Sequence, residues 1–441
     1  MKDAMALTSL APKGYMPRIA DSQIEKYLSV FGAVEVAGTK WCGKTWSSLA
    51  HGESISYIDD DFDIAKADPS IVTLGSQPHV IDEWQLVPSI RDVVRRRIDQ
   101  ERGLHGGWIL TGSSSPIDAK GEDAPKHSGA GRIGKVRMYP MSLAESGDSA
   151  CTVSLGGLFE GHFAPGMLGD DSKDAMALVE LTCRGGWPEA VEMNGASAQL
   201  IAKEYLRALF EETAPRSGLR GSTVSRLLSS ISRTLGQAAT QKTLIEDMTG
   251  ERQDTVSSSQ KAMLGELLGF LKSNYLLEEI PGWVPPSRSP KRLSVKPKRY
   301  LADPSLAIAQ LGMGAGALLK DWQTFGLMFE NLCMRDILVY ASALPSAGLE
   351  PVKYYRDDSG LETDAIIELA DGRWAAIEVK VSEDKVDEGV KSLKRLRKKL
   401  CENPKAKTNP PEFMAVIVGL SAYAREADDG IYVIPIRSLC Q

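Results

Sequence analysis

From residue 32 to about 115 the chain alternates short apolar runs with longer stretches whose apolar residues recur at helical spacing. The runs "AVEVAG", "SISYIDDD", "HVIDEW" and "WILTGSS" read as strands. Strands that alternate with helices predict a parallel sheet, because a parallel pairing needs a crossover long enough to hold a helix. The segment 113–132, "SSSPIDAKGEDAPKHSGAGR", is rich in Gly, Ser, Pro and charge and reads as an exposed loop.

Past about residue 150 this alternation ends. "CRGGWPEAVEMN" reads as a turn leading into the amphipathic helix "AQLIAKEYLRALFEETA", and residues 222–283 carry three further helix-length patterns. "PGWVPPSRSPKRLSVKPKRYLAD" follows as a proline-rich hairpin, and helices followed by a hairpin resemble a winged helix. From about 313 the helical "GLMFENLCMRDILVYAS" precedes the strands "VKYYRD", "TDAIIEL", "WAAIEVKV" and "FMAVIVGL", with the charged helix "KVDEGVKSLKRLRKKL" among them. The expected organisation is an α/β domain over 1–150, a helical connector over 151–221, a winged-helix-like domain over 222–312 and a second α/β domain over 313–441. The hexapeptide "KDAMAL" occurs at 2–7 and again at 173–178, but nothing around it repeats, so no repeat architecture is expected.

Composition narrows the partners. With 441 residues, 43% hydrophobic and 25% charged, the chain has material for several globular cores. A net charge of -6 argues against a protein that coats nucleic acid over its whole surface, while leaving room for a local basic face. Six cysteines are scattered without a C-x-x-C pair, so neither a zinc site nor a disulfide framework is expected. No apolar run approaches the roughly 20 residues that cross a bilayer, and Asp3 interrupts the short apolar stretch at the amino terminus. A cytoplasmic protein with no membrane partner is expected.

Directly after the first strand stands "GTKWCGKT", which satisfies G-x-x-x-x-G-K-[ST] in the strand-loop-helix setting that the motif requires. Glycines let the backbone curl until successive N–H groups and a helix N-terminus face the phosphates of a nucleotide. The candidate nucleotide-binding stretch is Gly38, Thr39, Lys40, Trp41, Cys42, Gly43, Lys44, Thr45 and Trp46. Lys44 is expected on the β and γ phosphates of ATP, and the Thr45 hydroxyl on Mg²⁺. The side chains of the intervening residues are expected to point away, with Cys42 a small filler.

Two acids end the strand "HVIDEW", at the edge where a parallel sheet places ligands. Asp82 is the candidate second Mg²⁺ partner, through a water, and Glu83 the candidate group that polarises the attacking water. Thr111 or Ser113, at the end of "WILTGSS", is expected to sense the γ phosphate or hold that water. Arg132, beyond the loop, is a candidate for stabilising the transition state, with Arg95, Arg96 and Arg97 as competitors. A trans-acting arginine would need neighbouring subunits, so an oligomer is compatible with this reading.

The ordered set "GTKWCGKT", "YIDDD", "VIDEWQLVP", "WILTGSSS", "GAGR" and "MYPMSLAE" resembles a large prokaryotic family of AAA-type P-loop ATPases with a conjoined carboxy-terminal domain of uncharacterised role. The similarity continues in "CRGGWPEA", "PKRYLADPSLA" and "GLMFENLCMRDI" and so spans nearly the whole chain. The family usually carries Arg-Gln where this chain has Thr39 and Lys40, a departure that bears on side-chain contacts and leaves the backbone cradle intact.

A second candidate site lies in "LETDAIIELADGRWAAIEVKVSE". Glu378 and Lys380 alternate onto one face of a strand, with Asp364 on its neighbour. An Asp plus E-x-K can hold a divalent metal while the lysine positions a water, the chemistry of phosphodiester hydrolysis. Glu330 on the preceding helix offers a further carboxylate. This resembles the PD-(D/E)xK nuclease fold, which the ATPase family is thought to carry, although Thr363 and Ala365 replace the Val and Phe that usually flank the aspartate. Arg288, Lys291, Arg292, Lys296, Lys298 and Arg299 crowd the hairpin, where they could follow DNA phosphates, and Lys394, Arg395, Arg397, Lys398 and Lys399 crowd a helix. The expected protein is α/β, with a P-loop NTPase parallel sheet, a helical and winged-helix region and a restriction-nuclease-like end. Its expected function is ATP hydrolysis whose nucleotide state controls a nuclease-like module that engages DNA or a protein. The alternative is a nucleotide-gated scaffold with an inactive nuclease-like domain.

Overall fold

Five short strands, three of them buried along their whole length, build the first sheet of the computed structural model, which describes residues 8–101, 103–114, 129–252, 254–285, 295–402 and 408–441. The strands are β1 (Ala33–Gly38), β2 (Ser54–Tyr57), β3 (His79–Asp82), β4 (Trp108–Gly112) and β5 (Ile133–Met138), in the order β2-β3-β4-β1-β5. Every pairing is parallel. The helices α1 (Ile19–Leu28), α2 (Lys44–His51), α3 (Phe62–Ala67) and α4 (Ser89–Gln100) accompany it. Alternation along β1 divides the core: Val34 and Val36 pack with Ile24, Val80 and Ile109, whereas Ala33 packs with Ile81, Trp84, Ile90 and Leu110. Glu35 faces the second layer and is buried there against Arg91 and Lys135, so a charge that would be costly alone is paired.

Compactness divides the chain into Met1–Pro140 with Phe270–Leu276, and Met141–Gly269 with Leu277–Gln441. In the second unit a row of helices includes Ala175–Arg184, Gly195–Ala208, Gly221–Arg233 and Gln241–Thr249. Two strands, β6 (Val153–Ser154) and β7 (Gly166–Met167), precede those helices, and the antiparallel pair β8 (Leu277–Ile280) and β9 (Lys298–Leu301) follows them. The later strands are β10 (Ala347–Arg356), β11 (Glu362–Leu369), β12 (Trp374–Ser382), β13 (Phe413–Leu420), β14 (Tyr423–Ala427), β15 (Ile431–Pro435) and β16 (Leu439–Cys440). Seven of these form a mixed sheet in the order β10-β11-β12-β13-β15-β14-β7. The helix Val386–Cys401 buries Val390, Leu393 and Leu396 against Ile366, Val416 and Val433 of this sheet.

The pattern of apolar runs anticipates β1 to β4 and β10 to β13, and the proline-rich hairpin segment contains β9, whereas β8 falls in a stretch that reads as helix. It also misses β5, the two-residue strands β6, β7 and β16, and β14 and β15. Within β5 Gly134, Lys135 and Arg137 interrupt the apolar positions, although Ile133, Val136 and Met138 are buried. No helix among the described residues is long and apolar enough to cross a membrane.

Candidate functional site

The loop after β1 turns on two features of its backbone. Gly38 lies so close to β5 that a Cβ there would stand 2.1 Å from the Met138 carbonyl oxygen, and Gly43 takes φ +98° at the N-cap of α2. Trp41 is also left-handed, at φ 62°. Left-handed residues between right-handed ones turn successive N–H groups inward, and the first N–H groups of α2 have no helical acceptor. The Trp41 and Trp46 side chains are exposed, whereas Cys42 is buried, its thiol facing the Met138 carbonyl at 3.8 Å.

The structure brings the predicted phosphate and magnesium residues together. Lys44 Nζ donates to the Thr39 carbonyl at 2.7 Å, across the mouth of the loop. Thr45 Oγ1 lies 3.1 and 3.2 Å from the two carboxylate oxygens of Asp82. Because β4 lies between β1 and β3, Thr111 and Gly112 reach the same edge as Asp82, with Asp82 opposite Thr111 in register. Glu83 follows at φ 54°, a conformation that turns the chain sharply out of the strand. Ser113 Oγ donates to Glu83 Oε2 at 3.3 Å, and Gln85 Nε2 donates to the same oxygen.

Burial pushes the Asp82 carboxyl up to about 6, helped by the neighbouring charges of Glu83 and Asp59 and opposed by Thr45 and Lys44. The folded chain therefore holds this proton more tightly than the unfolded chain, whose carboxyl titrates near 3.8. That contribution to stability is complete below about pH 4 and is lost as pH rises through 6, a change of about 2–3 kcal/mol. Asp82→Asn, neutral throughout, is expected to become progressively more stable than the nucleotide-free wild type between pH 4 and 7. Urea denaturation of both proteins at several pH values checks this, and a constant difference would contradict it.

MgATP fits these residues. The hydroxyls of Thr39 and Thr111 are buried without a partner, and both belong to the segments that surround the loop. Thr45 and Asp82 supply oxygen donors suited to Mg²⁺, and Lys44 supplies a cation for phosphate.

Arg132 is not brought to this site. It immediately precedes β5, whose first residue Ile133 is in register with Ala33, whereas the loop leaves β1 at its other end, about 20 Å away by strand rise. Arg132 instead pairs with Asp99 at 2.8 Å. Within one chain it cannot approach a nucleotide held by Lys44. Of the competitors, Arg95 pairs with Asp99, Arg97 donates to the Ser70 carbonyl and Arg96 is exposed on α4.

Sequence reasoning missed a brace behind the loop. Arg18 is buried and donates to the carbonyls of Cys42 at 2.6 Å and Tyr139 at 2.8 Å. Asp21 accepts from Tyr15 at 2.6 Å and faces His51 of α2 at 3.3 Å, while Tyr15 also meets Ser47 at 2.9 Å. Tyr15, Arg18 and Asp21 lie before the first strand, in a stretch with no motif of its own. Gln85 was legible only as part of "VIDEWQLVP".

In the second unit Asp364 and Glu378 lie on the paired strands β11 and β12, one step beyond the Ala365–Ile377 pair. Asp364 Oδ2 accepts from the Val379 N–H at 2.9 Å; Glu378 accepts from Lys380 at 2.8 Å and from Ser392 at 3.0 Å. Glu330 accepts from Tyr300 at 2.6 Å. Burial, and then the charge of Asp364, push both Glu330 and Glu378 well above the ordinary carboxylate range.

A further residue enters this cluster. Lys298 Nζ, 2% exposed, stands 2.6 Å from Glu362, 3.4 Å from Asp364 and 3.6 Å from Glu330. This corrects the expectation that Lys298 and Arg299 follow DNA phosphates, since Arg299 is also buried and pairs with Glu279 at 2.9 Å. Arg288, Lys291 and Arg292 lie outside the described residues, and Lys296 is exposed. On the helix Val386–Cys401, Lys394 pairs with Asp429 and Lys399 with Asp357, as on an ordinary solvated face. With Lys298 among the carboxylates the residues do not fit a divalent metal, and no group of three or more His, Cys, Asp or Glu among the described residues is disposed to hold one.

Three stretches of the chain match family models. Residues 31–147 match the family described as "AAA domain", residues 176–316 a domain of unknown function (DUF8612), and residues 325–439 a domain of unknown function (DUF4143). No curated protein matches the chain. Similar solved structures include the Walker-type ATPase PABY2304 of Pyrococcus abyssi, at 12% identity and a TM-score of 0.43, covering 68% of this chain and 97% of that one. The replication initiator DnaA bound to AMPPCP and single-stranded DNA is similar at 12% identity and a TM-score of 0.23, covering 58% and 92%. The Aeropyrum pernix ORC1 protein in complex with DNA is similar at 13% identity and 0.24, covering 69% and 95%. The family match over 31–147, the parallel sheet and the loop geometry together make the amino-terminal part of this chain an AAA-type P-loop domain.

Proposed function

We propose that the chain binds MgATP through residues 38–46 and hydrolyses it, and that its nucleotide state governs how the carboxy-terminal module engages a DNA or protein partner. The observation that carries this reading is the contact of the Thr45 hydroxyl with the Asp82 carboxylate, beside Glu83 and Lys44. Lys44 would neutralise phosphate charge, and Thr45 and Asp82 would hold Mg²⁺, Asp82 through a water. The bound ion would add electrostatic stabilisation of the transferring phosphoryl group. Glu83, restrained by Ser113 and Gln85, would accept a proton from the attacking water, and Thr111 would hold the γ phosphate or that water. The arginine that completes such a site would come from a neighbouring subunit.

Glu83→Gln tests this division of roles. The amide keeps the size and loses the base, so ATP binding is expected to persist while hydrolysis falls about 10²-fold or more. Calorimetry and phosphate release measure the two separately; equal losses in both would remove Glu83 from its proposed role.

A second reading, an ATP-gated scaffold whose nuclease-like unit does not cut, is favoured by the position of Lys298 among Glu330, Glu362 and Asp364. Incubation with plasmid or linear DNA, Mg²⁺ or Mn²⁺ and ATP distinguishes them. Cleavage that disappears in Glu378→Gln or Lys380→Ala supports a nuclease, and retarded but intact DNA supports the scaffold.

A further inference from the structure

The acids of the second unit converge from three separate elements, the helix Trp322–Ser342 and the strands β11 and β12, yet the charge at their centre comes from a fourth. Lys298 enters from β9, opposite Ile280 in the antiparallel pair, and its side chain passes over the Tyr354 ring with Nζ 5.4 Å from the centroid. We propose that the Lys298 ammonium is the resident cation of this carboxylate cluster and excludes a divalent metal from it, leaving the nuclease-like unit a metal-independent binding module. This deepens the scaffold reading above and rests on it.

The contacts are those of an ammonium ion. Three carboxylates lie 2.6 to 3.6 Å from Nζ, whereas Mg²⁺ and Ca²⁺ draw oxygen ligands in to about 2.0–2.6 Å. A divalent ion shared by Glu330 and Asp364 would have to occupy the place of the ammonium or press against it, and like charges in a buried site repel strongly. Other oxygens of the cluster are engaged as well: Asp364 Oδ2 by the Val379 amide and Glu378 by Lys380 and Ser392, while Glu330 Oε1, the oxygen that faces Lys298, also accepts from Tyr300. Lys298 cannot simply withdraw, because its side chain is 2% exposed and an unpaired ammonium buried elsewhere would be costly. Removing its charge, by contrast, leaves three neighbouring carboxylates that a divalent ion would neutralise.

Direct metal binding tests the idea on full-length, nucleotide-free protein. Wild type, Asp364→Asn, Lys298→Met and the double variant are titrated with Mn²⁺, and free ion is read by electron paramagnetic resonance. Wild type and Asp364→Asn are expected to take up Mn²⁺ alike. Lys298→Met is expected to gain one ion per chain that wild type does not hold, and the double variant to lose it. Mn²⁺ held by the wild type and lost in Asp364→Asn would overturn the proposal. So would a folded Lys298→Met that gains none. Should Lys298→Met fail to fold by circular dichroism, Lys298→Gln replaces it, and the wild-type pair decides on its own. The parent reading fails separately, through DNA cleavage by wild type that depends on Asp364.

Discussion

Lys44→Ala is expected to lower ATP hydrolysis by about 10²- to 10³-fold, the usual effect of removing one group that stabilises charge in a transition state. Lys44 Nζ donates to the Thr39 carbonyl, which holds the ammonium across the loop where phosphate charge would lie. Alanine removes that charge while Gly38, Gly43 and the N-terminus of α2 still shape the backbone. Weakened binding and a larger loss of turnover are therefore expected together, measured by nucleotide titration and steady-state phosphate release. Undiminished hydrolysis in a folded variant would place the ATPase site elsewhere.

The octet around Lys44 was legible because its chemistry is local: the loop, the strand before it and the helix after it are consecutive in sequence. Asp82 could be read for a similar reason, as an acid at the end of a buried run. Their approach to one another depends on strand order, which periodicity does not reveal. The same limit explains Arg132. "GAGR" follows the long loop and looked free to return to the phosphates, but the strand it begins runs parallel to β1, which carries its first residues to the far edge of the sheet.

Lys298 was misread for a different reason. A cluster of basic residues in a hairpin looks solvent-exposed when only neighbours in sequence are visible, and the acids that bury Lys298 come from Glu330, Glu362 and Asp364. The E-x-K pattern was correctly placed on β12, with Glu378 and Lys380 in contact at 2.8 Å. What the pattern could not supply was the identity of the cation among the carboxylates. Arg18 and Asp21 were invisible altogether, because a brace behind a loop needs no motif, only one buried guanidinium aimed at two carbonyls.

Arg335→Ala is expected to destabilise the second unit by about 3–5 kcal/mol, the cost of leaving buried charges without their partner. Three segments noted for resemblance, "CRGGWPEA", "PKRYLADPSLA" and "GLMFENLCMRDI", meet at this arginine. Its guanidinium donates to Asp303 at 2.8 Å and to Asp336 at 2.7 and 2.9 Å, and all three side chains are almost fully buried. Asp303 also accepts from the Gly186 N–H and from Ser305, which in turn accepts from Trp187, while Asp336 accepts from the Leu143 N–H. Gly186 has no room for a side chain, since a Cβ would stand 2.0 Å from the Met141 carbonyl oxygen. These motif residues thus tie distant segments of the unit into one hydrogen-bonded network, a structural role that accounts for them without chemistry. Arg335→Lys, which keeps the charge but loses the forked geometry, is expected to cost less than alanine. Urea denaturation of wild type and both variants measures the order; a loss below about 1 kcal/mol for alanine would show that the two aspartates are adequately satisfied without the arginine.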